Sequence, residues 1–444
     1  MKKLASILLA ALITAVCFMP TAFADYTNSI QEELNCKALY MICSDNSEVI
    51  YAKNESEQLS IASLTKLMTA AVVLKNVEDL EDTVTCSYEA IHSLDGTNSS
   101  VAGLYADEEL TVKQLLYLLL VGSANDAANV LAEYVGGTIE SFVEKMNALS
   151  AEIGCTDTHF TNAHGLDEEG HYSSAKDVMT TALFCLEYPI FETIIGTRDY
   201  VLEETNLSGE REFSNTNKMF SGISDYKYEY CTGGKTGTTT EAGQCLFSMA
   251  TKDGYSYMCV ALGGDMIDCD DDGVEERMNY IDSKILFDWA FDNLRLRTVA
   301  DANTIVTVIS VTLSKDEDHV RLIPQNSVTA LVPKNISADD VLIEPVKEKT
   351  VSTVEAPVKA GDVLGAAQIY YAGHVIATVD LCAADSARRS LPKLILNRAG
   401  RLIKQPIFII AVVIAAVCAI FFIIAARRRQ KKSDRVRVVG GTRR

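Results

Sequence analysis

The sequence predicts an α+β domain built on an antiparallel sheet, followed by a small all-β domain and one transmembrane helix. Three features predict it. Strand-like hairpins flank a central block of helical periodicity, that periodicity disappears after Thr298, and an apolar run without a charge extends from Ile407 to Ala426. With 444 residues, 48% of them hydrophobic, the chain is long enough for several domains and can bury a sizeable core.

At the N-terminus, Met1-Lys2-Lys3 precedes an apolar run from Leu4 to Met19 and then Ala22-Phe23-Ala24, the small-x-small pattern of a signal-peptidase site. Residues 1–24 are therefore expected to be a signal peptide, with the mature chain starting at Asp25. Cys17 lacks the preceding Leu and small residue that lipid attachment requires. Residues 36 to 53 read as two short strands around an Asp45-Asn46-Ser47 turn. From Ser60 the apolar positions Ala62, Leu64, Leu67, Met68, Ala71 and Val72 take helical spacing. Thr111 is a good N-cap for a helix over 112–120, and further helices are predicted over about 126–134 and 139–153. After Lys235 the runs 245–251 and 255–264 form a hairpin about Asp253-Gly254, and a helix over 280–293 closes a domain spanning 25–297.

Residues 298–390 alternate in polarity with Gly turns, as a separate β-rich domain would. A linker over 391–406 then leads to the span at 407–426, whose length of about 20 residues at ~1.5 Å each crosses a ~30 Å hydrocarbon layer. Arg427-Arg428-Arg429-Gln430-Lys431-Lys432 follow at once, so 427–444 is expected to be a basic cytoplasmic tail. A signal at one end and a stop-transfer helix at the other predict a single-pass membrane protein whose large domain lies outside the cytoplasm.

The net charge of −20 conceals a polarity: nine Lys/Arg and one Asp follow Ala426 and two Lys open the chain, so residues 25–426 carry about −30. So acidic a surface excludes nucleic acid as a partner, and a charged substrate has to meet a local cationic pocket. Of 12 cysteines, Cys17 and Cys418 lie in the two apolar segments. The other ten have irregular spacing with no C-x-x-C, which predicts no zinc site and fixes no disulfide pairing. His159, His164 and His171 cluster without an H-E-x-x-H pattern and read as structural, so no metal or cofactor is expected.

Chemistry is concentrated in three short motifs. Ser63-Leu64-Thr65-Lys66 opens the first apolar helix, where spacing i and i+3 puts the amine over the hydroxyl. A serine needs such a base, and a lysine acting near neutral pH has to be shifted from 10.4 at a cost of roughly 4 kcal/mol, by desolvation and a second cation. Ser123-Ala124-Asn125 stands where one helix must break before the next begins at Asp126; a capping pair is the simplest reading of it alone. Lys235-Thr236-Gly237-Thr238 precedes a strand and offers a charge and a hydroxyl to a carboxylate, with Lys235 the candidate second cation.

In this order the motifs S-x-x-K, S-x-N and K-T-G resemble the penicillin-binding and serine β-lactamase superfamily, and within it the low-molecular-mass D-alanyl-D-alanine carboxypeptidases. The likeness extends through residues 158–177, Asn215-Thr216-Asn217 and Asp288-Trp289-Ala290-Phe291, over about 30 to 384. It implies a β-lactamase/DD-peptidase-like catalytic domain, an antiparallel sheet with a helical subdomain. It further implies removal of the terminal D-alanine from peptidoglycan stem peptides, with β-lactam antibiotics as inhibitors. By the same resemblance Ser63 is the acylated nucleophile, Lys66 its base, Ser123 a proton relay and Asn125 a holder of the substrate amide. Lys235 and Thr236 would bind the terminal carboxylate, and the backbone N–H groups of Ser63 and Thr238 would form an oxyanion hole. Three departures stand out: Ala124 replaces a more usual Gly or Asp, Thr238 replaces a frequent His, and Arg277 is displaced by two residues from the Arg of relatives. A β-lactamase would need a Glu-activated water, for which Glu168 and Glu169 lie beyond the usual place; a non-catalytic sensor ectodomain would not need both lysines.

Overall fold

Both predicted hairpins come together in one sheet. The computed structural model describes residues 30–439 apart from 223, 270–272, 336–339 and 372–373; the expected signal peptide and Cys17 lie outside the described residues. Strands β1 (Ala38–Cys43) and β2 (Val49–Lys53) pair with each other, and β3 (Cys231–Thr239), β4 (Gly243–Lys252) and β5 (Tyr255–Gly264) complete an antiparallel sheet in the order β2-β1-β5-β4-β3. The β4–β5 turn has positive φ at both Asp253 (54°) and Gly254 (83°), the two-residue turn whose twist matches the flanking strands. The α+β class expected from the sequence is the one observed.

The longer helices of the other half of this unit are α1 (Thr65–Asn76), α2 (Val112–Leu120), α3 (Asn125–Gly136), α4 (Ile139–Glu152) and α5 (Ala175–Leu186). Thr111 caps α2 in a full capping box with Gln114, so the start read from the sequence is met. Helix α1 is apolar on every side because it runs through the middle of the core: all residues from Thr65 to Leu74 are buried. Leu115, Leu116, Leu118, Leu119 and Leu120 of α2 are all fully buried in the same cluster, each worth about 1.5–3 kcal/mol of transfer free energy. Helix α6 (Met278–Asn293) packs on β4 and β5.

The chain divides into two compact units. One gathers the described residues up to Val299 with 329–341 and 370–377, and the other holds 300–328, 342–369 and 378 onward. The second unit has its own core of Ile309, Val311, Val320, Leu322, Ala367 and Leu381 on a six-stranded sheet. Where a linker was expected the chain forms helix α7 (Leu391–Ile403), capped by Ser390. Helix α8 (Pro406–Val439) contains a 24-residue candidate span, Pro406–Arg429, whose most apolar 18 residues have mean hydropathy 3.5, long enough to cross a membrane. Among the described residues the cysteines are free thiols, all buried except Cys269 and Cys418.

One carboxylate fixes the break between α2 and α3. Asp126 accepts hydrogen bonds from the backbone N–H groups of Ala102 (2.9 Å), Gly103 (3.0 Å) and Leu104 (3.1 Å), and Asn125 N–H donates to Ser100 O at 2.8 Å. The loop before α2 is thereby tied to the first turn of α3. Charge-assisted bonds of this kind contribute 1.5–3 kcal/mol each, and losing the acceptor leaves buried donors unpaired. Asp126→Ala is expected to lower unfolding stability by about 3–5 kcal/mol in urea at unchanged m-value; a loss under 1 kcal/mol would show that the loop holds itself.

Candidate active site

Ser63 sits in a 3-10 turn, Ala62–Leu64, immediately before α1, so the predicted helical spacing is realised with one tighter turn at its start. Lys66 Nζ lies 2.8 Å from Ser63 Oγ, 2.6 Å from Asn125 Oδ1 and 2.8 Å from the carbonyl oxygen of His164. Asn125 Oδ1 and the His164 carbonyl can only accept. A neutral amine therefore gives its two N–H bonds to them and turns its lone pair to the Ser63 hydroxyl. An ammonium fills the same three contacts, so a proton can pass between Oγ and Nζ without rearrangement.

Across the cleft, Lys235 Nζ donates to Ser123 Oγ at 2.7 Å and to Thr236 O at 2.8 Å. Both lysines are 0% exposed. Burial first and the charge of Lys235 second hold the Lys66 amine well below its ordinary value, against a weaker opposing pull from Asp126. Burial alone brings Lys235 down to about 7. No carboxylate pairs with either amine among the described residues, which leaves Lys235 a ready counter-charge for an anionic ligand.

Ser123 has φ 58°, a left-handed conformation uncommon for a residue with a side chain, and fully buried Ala124 rather than Ser or Asn is the N-cap of α3, with no side-chain cap bond. The simple capping reading therefore fails, and Asn125 is already the first helical residue instead of the last loop residue. Its Oδ1 is held by Lys66, while its Nδ2 has no partner among the described residues.

Strand β3 is the sheet edge nearest Ser63. A Cβ on Gly237 would lie 2.7 Å from Ile61 O and 2.9 Å from Ser63 N, so only glycine lets the strand approach the turn this closely. Thr236 Oγ1 donates to Thr216 Oγ1 at 2.6 Å, and Thr216 is held between Asn215, which donates to Ile195 O and Thr197 O, and Asn217, which donates to Gly233 O. Thr238 Oγ1 donates to Gln244 Oε1 at 3.1 Å, so its side chain is turned to β4. Of the seven residues singled out from the sequence, Ser63, Lys66 and Asn125 are joined by hydrogen bonds, as are Ser123 and Lys235, and Thr236 and Thr238 flank Gly237 on β3 beside Ser63. Thr216, Gln244 and the His164 carbonyl were not anticipated. Only Thr216, inside the Asn215-Thr216-Asn217 stretch, had a sequence signal.

Residues 25–266 match the family described as D-alanyl-D-alanine carboxypeptidase, peptidase S11, and residues 295–389 match the C-terminal domain of penicillin-binding protein 5. The chain belongs to the S11 D-alanyl-D-alanine carboxypeptidase family. D-alanyl-D-alanine carboxypeptidase DacF of Bacillus subtilis is 32% identical over 399 residues, covering 88% of this chain and 96% of the relative. Penicillin-binding protein 5 of Haemophilus influenzae shares the fold, with TM-score 0.65 at 24% identity over 81% of this chain and 99% of that one. The Streptomyces K15 DD-transpeptidase matches with TM-score 0.53 at 27% identity over 59% of this chain and 98% of its own.

Two features of this S11 member bear on its chemistry. Glu168, one of the two carboxylates just beyond the place a lactamase would need, is engaged by Thr161 Oγ1 at 2.8 Å and Asn162 Nδ2 at 3.1 Å. Arg277 gives its backbone N–H to Tyr226 Oη at 3.0 Å and its side chain to Tyr280, so the displaced arginine is built into the Tyr226–Tyr280 pair.

The two amines set opposite pH limbs. An amine can serve as a base only after losing its proton, so any reaction of Ser63 Oγ that Lys66 assists is expected to rise with pH through the depressed Lys66 value. Lys235 attracts a carboxylate only while protonated, so binding of a carboxylate-bearing acyl ligand to the free enzyme falls above about pH 7. We expect kcat/KM for such a ligand to drop about tenfold per pH unit on the alkaline side, and the amidated ligand to lack that limb. Identical profiles for the two would remove Lys235 from carboxylate binding.

Proposed function

We propose that this protein is a serine-type D-Ala-D-Ala carboxypeptidase that removes the terminal D-alanine of peptidoglycan pentapeptide stems through an acyl-enzyme on Ser63, and that penicillins acylate the same hydroxyl. The observation that carries this reading is Lys66 Nζ 2.8 Å from Ser63 Oγ, buried opposite a second buried lysine on a glycine-lined strand edge. Family membership and the DacF likeness over nearly the whole chain support the reaction class.

The chemistry follows from the groups in place. Lys235 and Thr236 hold the free carboxylate of the stem, and Asn125 Nδ2 donates to the substrate amide. Ser63 Oγ bonds to the carbonyl carbon of the penultimate D-alanine as its proton moves to Lys66 Nζ. The developing oxyanion is met by the N–H groups of Ser63 and Thr238, each such donor worth roughly 2.7–4 kcal/mol. The C–N bond then breaks, the proton Lys66 took reaching the departing amine through Ser123. Water, giving its proton to Lys66, next cleaves the ester and restores the Ser63 hydroxyl. No metal or cofactor enters these steps.

We further propose the topology that the sequence suggests. Residues 1–24 direct export, 25–297 form the catalytic domain, 298–390 a β-rich domain, and 391–406 lead to a membrane span at 407–426 with 427–444 in the cytoplasm. The charge-free stretch of α8 and the cation cluster behind it support this arrangement.

Full-length protein incubated with a pentapeptide stem should release one D-alanine and leave a tetrapeptide, and benzylpenicillin should add one slowly lost acyl group at Ser63 by mass. Ser63→Ala should abolish both, and Lys66→Ala should slow acylation on the order of 10³-fold or more. D-alanine release that survives in Ser63→Ala would contradict the assignment. A penicillin adduct lost within seconds would make the protein a β-lactamase instead.

A further inference from the structure

Behind the nucleophile turn lies a hydrogen-bonded chain that the reaction steps above do not use. His171 is 6% exposed, with the ring of Phe160 edge-on at 5.7 Å. Its Nδ1 accepts the backbone N–H of Thr161 at 3.1 Å, so a lone pair has to stand there. The ring is therefore neutral and carries its hydrogen on Nε2, which lies 2.7 Å from Thr65 Oγ1. Thr65 Oγ1 accepts that hydrogen and gives its own to the Ala62 carbonyl at 2.8 Å. Ala62 has φ 47°, and Gly165 leaves the only room for its carbonyl, since a Cβ there would stand 2.0 Å from Ala62 O.

In a trans peptide the C=O and the following N–H point in opposite directions. Pinning the Ala62 carbonyl toward Thr65 and Gly165 thus turns the Ser63 N–H the other way. On that other side stands β3, with Ser63 N only 2.9 Å from where a Gly237 Cβ would be. Resting on the oxyanion hole proposed above, we infer that His171 is a positioning residue for that hole, holding the Ala62–Ser63 peptide through Thr65 so that the Ser63 N–H faces the cleft. The linked donors also polarise one another in the low-dielectric core, which strengthens the final N–H as a donor.

Protonation at Nδ1 displaces the Thr161 N–H from that lone pair and turns the new N–H to Thr161 Oγ1 at 3.2 Å, which shifts the ring that Thr65 leans on. Burial holds His171 down at about 4, against the pull of Glu168 and Asp167 on its own loop; His159 on the bridged segment adds to the lowering, and the helix α1 side presents the neutral Thr65. The chain is intact across the neutral range.

Two isosteres separate its halves. His171→Asn keeps an acceptor near Nδ1 and loses the donor to Thr65, whereas His171→Gln keeps a donor near Nε2. With full-length protein in detergent, we expect the second-order rate of benzylpenicillin acylation to fall 10- to 100-fold in His171→Asn and in Thr65→Val. The same two variants should lower kcat for stem hydrolysis with KM within about twofold. His171→Gln should stay within about threefold of wild type, and the His171→Asn/Thr65→Val double variant should be no slower than either single one. Nitrogen-15 shifts of labelled histidine in the wild type should give His171 an unprotonated Nδ1 and a protonated Nε2 at pH 7, a readout that survives even if a variant fails to fold. Rates in His171→Asn and Thr65→Val within twofold of wild type would overturn the inference, as would equal losses in Asn and Gln variants that track Tm, or an Nδ1-protonated ring. Absence of any adduct on wild-type Ser63 would instead defeat the proposed function, leaving the ring's tautomer as a separate result.

Discussion

Two amines sealed in one dry cleft are the constraint on which the rest of this structure depends. Neither Lys66 nor Lys235 reaches water, and neither has a carboxylate partner among the described residues. Their desolvation works against folding. It persists because oxygens meet Lys66 at three positions and Lys235 at two, and because the large leucine-rich core stabilises the unit as a whole. The arrangement holds both amines below their ordinary values, Lys66 further through the charge of Lys235. A site that cost nothing to fold would lower neither.

Three parts of the fold have to meet for this to happen. Helix α1 places the amine one turn from the hydroxyl, the strained residue Ser123 with its buried follower Ala124 brings Asn125 onto Lys66, and the edge strand β3 carries Lys235 to Ser123. Each junction relies on a small residue or a left-handed conformation where a bulkier side chain would hold the parts away: Gly237 against Ile61, Gly165 against Ala62, Ala124 in the core. Strain at Ala62 and Ser123 is concentrated at the site and is held there by the packing around it.

Much of this was legible in the residues. Ser63 and Lys66 share a helix, so their meeting follows from local geometry, and the capping box of Thr111 and the turn at Asp253-Gly254 are equally local. The joining of Ser63, Asn125 and Lys235 spans sequence separations near 60 and 110, and only the order of three motifs, read as a family resemblance, pointed to it. What escaped has physical reasons. A backbone carbonyl such as that of His164 leaves no mark on the sequence, and Thr216 gains meaning only when Asn215 and Asn217 fix it beside Thr236. His171 was read as structural because nothing in its spacing shows that its two nitrogens join Thr161 to Thr65. Ser123-Ala124-Asn125 resembled a cap because Ser and Asn usually are caps, and here fully buried Ala124 takes that place. The sequence predicts a linker over 391–406, although Leu391, Ile395 and Leu402 share one face of what proves to be the helix Leu391–Ile403.

The central claim is that burial and the charge of Lys235 hold the Lys66 amine well below its ordinary value. Selective carbon-13 labelling of lysine with NMR titration of the Lys66 side chain, in the wild type and in Lys235→Gln, tests it most directly. The account predicts that Lys66 titrates well below its usual 10.5 and that its value moves upward when Lys235 is replaced. A Lys66 that titrates at its ordinary value in the folded wild type, or one indifferent to Lys235, would contradict it.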